Sequence, residues 1–451
     1  MTQRDYTSWS SQLSYGVEET AYGTKSAAIN LSLGKVISCG IKADAPVIQH
    51  RSKSSGRNVG KKVAGRVNVA GPIEFSPQNG LFLQYGFGEL TRGAKGDGTA
   101  TPVSAVTLTD CVVSACNIEE QAAPDMTYKL ALGGTFYQAS ALKTTTAVAT
   151  ITCAAAHATL DRIDIVSIKD TAGTTSATIT GGTAAVSPVP DWASAPTDEL
   201  VIALVWVGAA VTTLNTTEVR TIFWAKEKDL IQNEATNYGL SIENDFINPE
   251  GTAADDLINY YLGCKVNELT YSVARGQTDP IRFTASLMGK KPQTNVAGAT
   301  ASTITDSTAA MFLEWDTELE VASGTDYDLN DFSFGINNNL KARGTDGRYI
   351  KKLVSGNREY SSSAKIDLLD KEEIERQYGA ANATEPQDTI GNFTIKHTLK
   401  KPEYERIQFI FSECTYNKAD TTDSLDDLIT QELEINITSC EVMIVEGTET
   451  Y

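Results

Sequence analysis

An internal repeat constrains the fold of this chain more than any other feature of its sequence. Residues 40–88 and residues 335–379 each begin with Gly-Ile, pass through a basic loop to Lys-Lys, and reach a Tyr-Gly pair at or near their end. The matched positions are Gly40-Ile41 with Gly335-Ile336, Lys61-Lys62 with Lys351-Lys352, and Tyr85-Gly86 with Tyr378-Gly379. A later pair matches Asp255-Asp256-Leu257-Ile258 to Asp426-Asp427-Leu428-Ile429. Repetition in the same order predicts one structural unit present twice, which favours symmetric assembly over a single catalytic cleft.

The size and charge of the chain narrow the classes of protein to which it can belong. Its 451 residues exceed one ordinary domain, and 41% hydrophobic with 21% charged residues predict a large core. Abundant Thr, Ser, Ala and Gly with few long helical patterns favour β structure. A formal net charge of −19 argues against a protein that wraps nucleic acid, and leaves solubility and a functional role for the acidity both open.

The sequence shows neither a signal-peptide pattern nor a membrane-span pattern. Its N-terminal residues are polar. The longest apolar run, residues 200–211, is short for a bilayer and predicts a buried strand. The 7 cysteines have irregular spacing, which predicts reduced, mostly buried thiols in a protein that folds in a cytoplasm.

Changes of composition along the chain predict its division into domains. Residues 96–228 are poor in charge, rich in Ala and Thr, and contain strand-like segments at residues 162–168 and 200–207, so we expect an inserted β-sandwich. The second copy of the repeat has only a short loop, residues 380–390, at the equivalent point. The predicted domains are an N-terminal arm with the first part of unit 1 (1–95), the insertion (96–228), the remainder of unit 1 (229–290), and a linker with unit 2 (291–451).

Each unit is predicted to carry one short helix beside its sheet. In the first copy, Ser76 can cap the helix ahead of Pro77, and Gly86 can close it. In the second copy, Asp370 and Glu373 have the spacing of a capping box. A helix of about eight residues is unstable alone, so each helix must pack across a neighbouring sheet.

Alternating segments in both copies predict strands with one apolar and one polar face. In the second copy, Leu433 and Ile435 share one face of a strand, while Glu432 and Glu434 share the other. We therefore expect a sheet with a dry face and a wet, acidic face.

The residues that carry chemistry do not assemble into a site in this sequence. The histidines His50, His157 and His397 lie in separate segments, without a Cys or carboxylate partner at metal-ligand spacing. Phosphate-binding Gly-rich loops and Ser-centred nucleophile motifs are absent. We therefore predict no enzymatic activity, no metal and no cofactor.

The candidate functional residues are basic positions in two loops, which we interpret as contacts between subunits. They are Lys61, Lys62, Lys351, Lys352 and Arg348. Aromatic residues are sparse in these loops, which gives base stacking on nucleic acid little support. In an acidic homo-oligomer, such loops can pair with the carboxylates of a neighbouring chain.

Four motifs that are each weak occur in an order that is typical of one protein family. They are an N-terminal arm at residues 15–24 (YGVEETAYGT), Gly65-Arg66-Val67 with the strand that follows, residues 263–270 (GCKVNELT) and residues 332–340 (FSFGINNNL). Together they resemble the major tail tube proteins of long-tailed, non-contractile (siphovirus-type) phages and related tailed viruses, over about residues 10–95 and 230–400. Residues 161–220 resemble, more weakly, decoration domains of phage tail proteins.

The resemblance implies a mainly β fold. It would contain two tandem tail-tube-type β-sandwich or half-barrel units, each with a short flanking α-helix, plus the inserted β-sandwich domain. The implied function is that of a structural virion protein, which polymerises as stacked rings into the viral tail tube, the conduit for DNA during ejection. Closing sheets into a barrel would remove their open edges.

The resemblance also implies partners and a location. Three chains with two units each would form rings of pseudo-sixfold symmetry, with hexameric rings of chains as the runner-up. Further partners would be a tape-measure protein, tail-end proteins and viral DNA, which would slide past an acidic lumen without specific binding. No membrane insertion is implied. The location would be the virion tail, after synthesis in the host cytoplasm.

Two alternatives stay open at the level of the sequence. A distal tail or baseplate protein would share the fold. An adhesion or carbohydrate-binding protein would act through the inserted domain, where Trp192 and Trp206 could stack on sugars, although core packing accounts better for both residues.

Overall fold

Over the residues that the structure describes, the fold is mainly β, with strands β1 to β33 and two short α-helices. The structure, a computed structural model, describes residues 11–50, 61–95, 101–104, 110–146, 148–227, 239–246, 256–294, 301–302, 304, 310–322, 325–368, 371–382, 385, 391–422 and 429–447. No helix in these ranges is long and apolar enough to cross a membrane.

The first module begins before the inserted region and is completed after it. Its early elements are β1 (Ser11–Val17), β2 (Lys35–Cys39), β3 (Lys42–Asp44), β4 (Val47–His50), β5 (Lys61–Ala64), β6 (Asn68–Ser76) and α1 (Gln84–Phe87). Strands β7 (Gly88–Arg92) and β8 (Ala94–Lys95) then lead into the inserted region, which contains β9 (Val103–Ser104), β10 (Cys111–Ser114), β11 (Ile118–Glu120), β12 (Thr127–Leu130), β13 (Thr135–Gln138), β14 (Ala141–Thr144), β15 (Val148–Thr152), β16 (Arg162–Thr171), β17 (Thr174–Thr180), β18 (Leu200–Val207) and β19 (Val219–Glu227). The first module then continues with β20 (Leu240–Phe246), β21 (Leu257–Ala274), β22 (Arg282–Gly289) and β23 (Lys291–Thr294).

The second module follows without an insertion of comparable length. Its elements are β24 (Thr317–Val321), β25 (Thr325–Tyr327), β26 (Leu329–Asn337), β27 (Lys341–Asp346), β28 (Tyr349–Val354), β29 (Glu359–Asp367), α2 (Glu372–Tyr378), β30 (Phe393–Lys400), β31 (Arg406–Thr422), β32 (Thr430–Asn436) and β33 (Ser439–Gly447).

One antiparallel sheet, which we call the shared sheet, joins the two modules. Its strand order is β2 and β3, then β6, β22, β21, β26, β29, β32 and β31. The first four positions belong to the first module and the last four to the second. The modules meet where β21 pairs with β26, from Glu268 opposite Asn337 to Ala274 opposite Asp331.

Each module adds an outer sheet that packs on the shared sheet. The first outer sheet contains β1, β20, β21 and β23, and the second contains β25, β24, β30, β31 and β33. The long strands β21 and β31 enter both layers, with their N-terminal halves in an outer sheet and their C-terminal halves in the shared sheet. One continuous hydrophobic core lies between the layers of both modules, and Phe283, Phe332 and Phe409 are fully buried in it.

The two long strands bend at equivalent residues. Gly263 in β21 and Glu413 in β31 both have a left-handed backbone, with φ of 65° and 53°. The next residues are Cys264 and Cys414, and each thiol donates a hydrogen bond of 3.4 Å to the carbonyl oxygen three residues earlier. Burial raises the pKa of Cys414 to about 12 and also raises the pKa of Cys264, so both thiols keep the proton that they donate.

The strand pairings around the two bends also recur, with a register shift at the same point. In the first module Leu240 pairs with Cys264 and Ile242 with Tyr261, and in the second module Phe393 pairs with Cys414 and Ile395 with Phe411. Register depends on many side chains along a strand. Its recurrence is therefore stronger support for a duplicated unit than the short motifs that first indicated it.

Some of the motifs matched in the sequence do not occupy equivalent positions. The residue that closes α1 in the left-handed conformation is Gly88, rather than the predicted Gly86, and it corresponds to Gly379 after α2. The predicted cap at Ser76 is also wrong, because Ser76 ends β6 and a 3₁₀ turn, Leu81–Leu83, precedes α1. The predicted cap Asp370 lies outside the described residues.

The Asp-Asp-Leu-Ile match is wrong as well. Leu257 and Ile258 begin β21, whereas Ile429 lies just before β32, which is the counterpart of β22. Asp255 and residues 426–428 lie outside the described residues. A run of four residues is short enough to recur by chance, and the strand register shows that these two runs are unrelated.

The inserted region is connected to both modules. Its strands β11, β12 and β15 form a small sheet, whose side chains share a core with β16 and β18. Strand β19 pairs with β7 and also with β33, from Arg220 opposite Gly447 to Ala225 opposite Val442. The region is therefore inserted into the sequence of the first module, while its last strand, β19, extends the outer sheet of the second module.

Candidate assembly surface

The shared sheet has one face against the core and one face in solvent, which we call the polar face. In β32, Leu433 and Ile435 are buried, while Glu432 and Glu434 are exposed. This alternation confirms the dry and wet faces expected from the sequence.

Carboxylates outnumber cations among the described residues of the polar face. The carboxylates are Asp44, Glu74, Glu268, Asp331, Glu359, Asp367, Asp420, Glu432 and Glu434, and the cations are Lys35, Lys42, Arg282, Lys365 and Lys418. Small hydroxyl side chains lie between them, such as Ser333 and Ser363, whose hydroxyl oxygens are 2.8 Å apart. The face is therefore hydrated and carries an excess of negative charge.

Ion pairs occupy two of the cations on this face. Arg282 lies 3.1 Å from Glu74, and Lys418 lies 3.1 Å from Asp420 and 3.5 Å from Glu432. The hydrogen bond with Glu74 raises the pKa of Arg282, and the hydrogen bond with Asp420 raises the pKa of Lys418. Cations balanced by their neighbours add little attraction for a polyanion.

The pairing of β21 with β26 is the contact between the modules, and we call it the seam. On the core side of the seam, apolar side chains face one another across the two strands. The pairs are Leu269 with Ile336, Tyr271 with Phe334, and Val273 with Phe332, and all six side chains are buried. The seam is thus part of the hydrophobic core rather than a surface contact.

Two polar residues fasten the second module to the end of α1. The Asn338 side chain, which is 1% exposed, donates hydrogen bonds of 3.0 Å to the carbonyl oxygens of Gly86 and Val266. Arg358 donates to the Asn338 side-chain oxygen at 2.9 Å and to the Phe87 carbonyl at 2.8 Å. Three of these acceptors, the carbonyl oxygens of Gly86, Phe87 and Val266, are satisfied across the seam, so the fixed polar geometry defines one relative position of the modules.

Within the described residues, both outer edges of the shared sheet lack a partner strand. Strands β2 and β3 pair only with β6, and the C-terminal half of β31 pairs only with β32. In strand order β2 and β3 correspond to β26, and the C-terminal half of β31 corresponds to that of β21. The two halves of a second seam therefore lie at opposite ends of the sheet, where unpaired backbone groups are ready for strand addition.

The predicted basic residues lie on two hairpins, which we call hairpin 1 (β4 and β5) and hairpin 2 (β27 and β28). Lys62, Lys351 and Lys352 are exposed, and the side chain of Lys61 lies outside the described part of the chain. Their role between chains stays a prediction.

Arg348 has a contact within the chain. Its Nε donates to the Gly65 carbonyl at 3.1 Å, and the Val67 N–H donates to the Arg348 carbonyl at 2.9 Å. The structure thus brings the turn of hairpin 2 to the base of hairpin 1, which the sequence did not indicate.

Sequence reasoning missed Asn338 and Arg358. Asn338 stands in one of the motifs that carry the family resemblance, but periodicity does not reveal a contact across a seam. An alignment of the two copies on Cys264 and Cys414 would have matched β21 with β31, but it carries no signal that β26 pairs with β21.

Core packing, rather than sugar stacking, accounts for the tryptophans of the inserted region. Trp192 is 3% exposed, and Trp206 packs against the same hydrophobic cluster. The structure therefore gives the adhesion alternative no support from these residues.

Two β-sandwich modules that share a sheet, with both halves of a further seam open at its ends, define a class of structural proteins suited to edge-to-edge assembly. A family model described as phage tail tube protein matches residues 8–436. The chain belongs to the phage tail tube protein family, a family of structural tail components rather than of enzymes. A comparison with curated proteins gave no match.

Proposed function

We propose that the chain polymerises as stacked rings into the tail tube of a long-tailed, non-contractile phage, and that the tube conducts DNA during ejection. The observation that carries this proposal is the seam inside the chain, because its two halves recur as open edges at opposite ends of the shared sheet. Membership of the family supports the tube, and the seam supplies a template for the contact between neighbouring chains.

In this proposal, the C-terminal half of β31 of one chain pairs with β2 and β3 of the next chain. Ala419 then takes the place that Leu269 has in the seam, and Thr421 takes the place of Tyr271. The contact between chains is less apolar than the seam, as expected for surfaces that are in water before assembly. Ring closure leaves no open strand edge in the shared sheet.

Three chains with two modules each give a ring of pseudo-sixfold symmetry. Roughly 24 strand positions at ~4.8 Å spacing give a circumference of about 115 Å and a diameter of about 37 Å before strand tilt. Six chains per ring would double the diameter to about 73 Å by the same spacing. The smaller barrel encloses a DNA duplex more closely, which favours the trimer.

We place the polar face toward the lumen, because the outer sheets and the inserted region lie on the opposite side of the shared sheet. The excess of carboxylates on this face repels phosphate groups, so DNA slides without adhering. The inserted region, residues 96–228, decorates the outside of the tube once per chain.

The remaining assignments belong to the same proposal. The domains are residues 1–95 with 229–290 for unit 1, 96–228 for the insertion, and 291–451 for the linker and unit 2. Lys61, Lys62, Lys351 and Lys352 pair with carboxylates of neighbouring chains, and a tape-measure protein and tail-end proteins complete the tail. The chain is made in the host cytoplasm before it enters the virion.

Native mass spectrometry of the smallest closed assembly, combined with electron microscopy of the tubes, tests this proposal. We expect three chains per ring, long tubes and a negatively charged lumen. Six chains per ring would contradict the trimer, and a strongly positive lumen would contradict sliding. Short caps in place of long tubes would favour a distal tail or baseplate protein.

A further inference from the structure

Hairpin 2 packs against the first module. Its side chains Ile350 and Leu353 are only 1% and 4% exposed. Arg348, at its turn, is hydrogen-bonded to Gly65 and Val67 between β5 and β6, and β28 lies against β22. Hairpin 2 therefore leans sideways from β26, across β21, onto the neighbouring module.

Hairpin 1 occupies the equivalent place in the first module. It leads from β3 to β6, as hairpin 2 leads from β26 to β29. Each hairpin is closed by a glycine whose N–H donates to a carbonyl at the entry to the hairpin. The bonds run from Gly65 to Pro46 at 2.7 Å and from Gly356 to Asn339 at 3.1 Å. Equivalent roots predict that hairpin 1 also leans onto a neighbouring module.

The apolar side chains of hairpin 1 are exposed, whereas those of hairpin 2 are buried. Val47, Ile48 and Val63 are 59%, 55% and 42% exposed, and Ile48 is the cross-strand neighbour of Val63. Val63 follows a Lys-Lys pair, as does Leu353, which is 4% exposed. Clustered exposed β-branched side chains mark a contact surface, and here the chain itself shows what covers the equivalent surface.

We propose that hairpin 1 docks on the second module of the next chain in the same ring, where Val47, Ile48 and Val63 are covered. This inference rests on the proposed ring, because only a second copy of the chain presents its second module beside β2 and β3. Charge favours the same partner, since Glu359 is exposed at the start of β29, where the Lys62 side of hairpin 1 arrives.

The contact has a defined direction. Hairpin 2 covers β22 and the start of β6, so hairpin 1 covers their counterparts, the end of β32 and the residues before β29. It lies within a ring and not between stacked rings. Each seam between chains is then reinforced by a hairpin, as the seam inside the chain is.

The variants Val63→Asp and Ile48→Asp test this inference in the full-length chain. Both residues are exposed in the single chain, so each variant should fold with an unchanged melting temperature. We expect the concentration needed for ring formation to rise roughly tenfold or more, because a charge must then be buried in an apolar contact. Sedimentation velocity would show single chains at concentrations where the wild type forms rings.

A matched control is Val186→Asp in the inserted region, because Val186 is 87% exposed and lies far from both hairpins along the chain. This variant should form rings as the wild type does. Wild-type assembly of both hairpin variants would overturn the inference. Closed rings that no longer stack would also overturn it, because hairpin 1 would then join rings along the tube. A wild-type chain that forms no closed ring would instead overturn the proposed function.

Discussion

The two modules have the same strand register and the same bends, but different side-chain contacts hold their helices against the sheets. Counted back from the closing glycines Gly88 and Gly379, Phe82 and Glu373 occupy the same position. Phe82 packs among aromatic rings, with ring centres 5.4 Å from Tyr15 and 5.5 Å from Tyr85. The first module thus holds its helix through an apolar contact.

The second module holds its helix through a buried carboxylate. Glu373 is 1% exposed and accepts hydrogen bonds from the hydroxyls of Tyr327, at 2.5 Å, and Tyr416, at 2.6 Å. Arg376 pairs with the same carboxylate. Glu373 therefore does not act as the predicted capping-box residue, because its side chain is directed into the core. The difference shows that duplication preserved the strands, while the contact between helix and sheet was free to change.

The substitution Glu373→Ala should have the largest effect on this comparison. It leaves two tyrosine hydroxyls and a guanidinium without their common acceptor. We expect the free energy of unfolding to fall by about 3–5 kcal/mol. Urea unfolding followed by tryptophan fluorescence would measure the change.

Two further substitutions serve as comparisons for Glu373→Ala. Glu372→Ala, one residue earlier on the exposed side of α2, should cost less than about 0.5 kcal/mol. Phe82→Ala should cost about 3–5 kcal/mol, because it opens a cavity at the same position of the first module. If Glu373→Ala cost no more than Glu372→Ala, the carboxylate would not be the counterpart of Phe82.

A smaller difference between the modules depends on pH. His397 in β30 corresponds by register to Asn244 in β20, and its ring nitrogen shares a hydrogen bond of 2.8 Å with Tyr271. Burial lowers the pKa of His397 from 6.5 to about 3. Below pH 6.5 the unfolded chain takes up a proton that the folded chain refuses, so His397 costs about 1.4 kcal/mol for each pH unit down to about 3.

His397→Asn, which installs the residue of the first module, should remove this dependence. The quantity to measure is the difference in unfolding free energy between wild type and variant from pH 7 to pH 4.5. A difference is needed because burial and the nearby Glu243 raise the pKa of Asp245, which contributes to stability in the opposite sense as pH rises. A difference that did not change with pH would show that His397 takes up a proton as readily in the folded chain as in the unfolded chain.

The smallest expected change in the free energy of unfolding comes from substitutions at the two bends, Gly263 in β21 and Glu413 in β31. Glu413→Gly should raise the free energy of unfolding by at most about 1 kcal/mol, because glycine relieves the left-handed backbone but loosens the unfolded chain. Gly263→Ala should lower it by about 1–3 kcal/mol. The added Cβ would lie 2.8 Å from the Lys290 Cβ and 2.9 Å from the Tyr22 ring. Equal and neutral results would mean that the bends are not under the same constraint.

The sequence allowed the strands and the duplication to be predicted, because alternation and order are local signals. Strand β32 and the buried strand β18 lie where their patterns placed them. Sequence comparison identified the equivalent residues of the two copies less well, because a pair such as Tyr-Gly is too short to define the strand register. The left-handed Gly88 shows the limit, because only the backbone distinguishes it from Gly86.

The candidate assembly surface was predictable only in part. The acidic face followed from alternation along single strands, and the basic residues of the hairpins were visible as charges. The seam was not, because it joins residues far apart in the chain, such as Asn338 and Gly86. The packing of hairpin 2 on the first module also depends on a neighbouring strand that no periodicity identifies.

The seam inside the chain also has a kinetic consequence. A covalent link presents the second module to the first at an effective concentration on the order of millimolar. In the proposed ring, half of the contacts would form as each chain folds, and only the other half would await collisions between chains. If the chain assembles as proposed, ring nucleation would depend less steeply on protein concentration than it would for separate single modules.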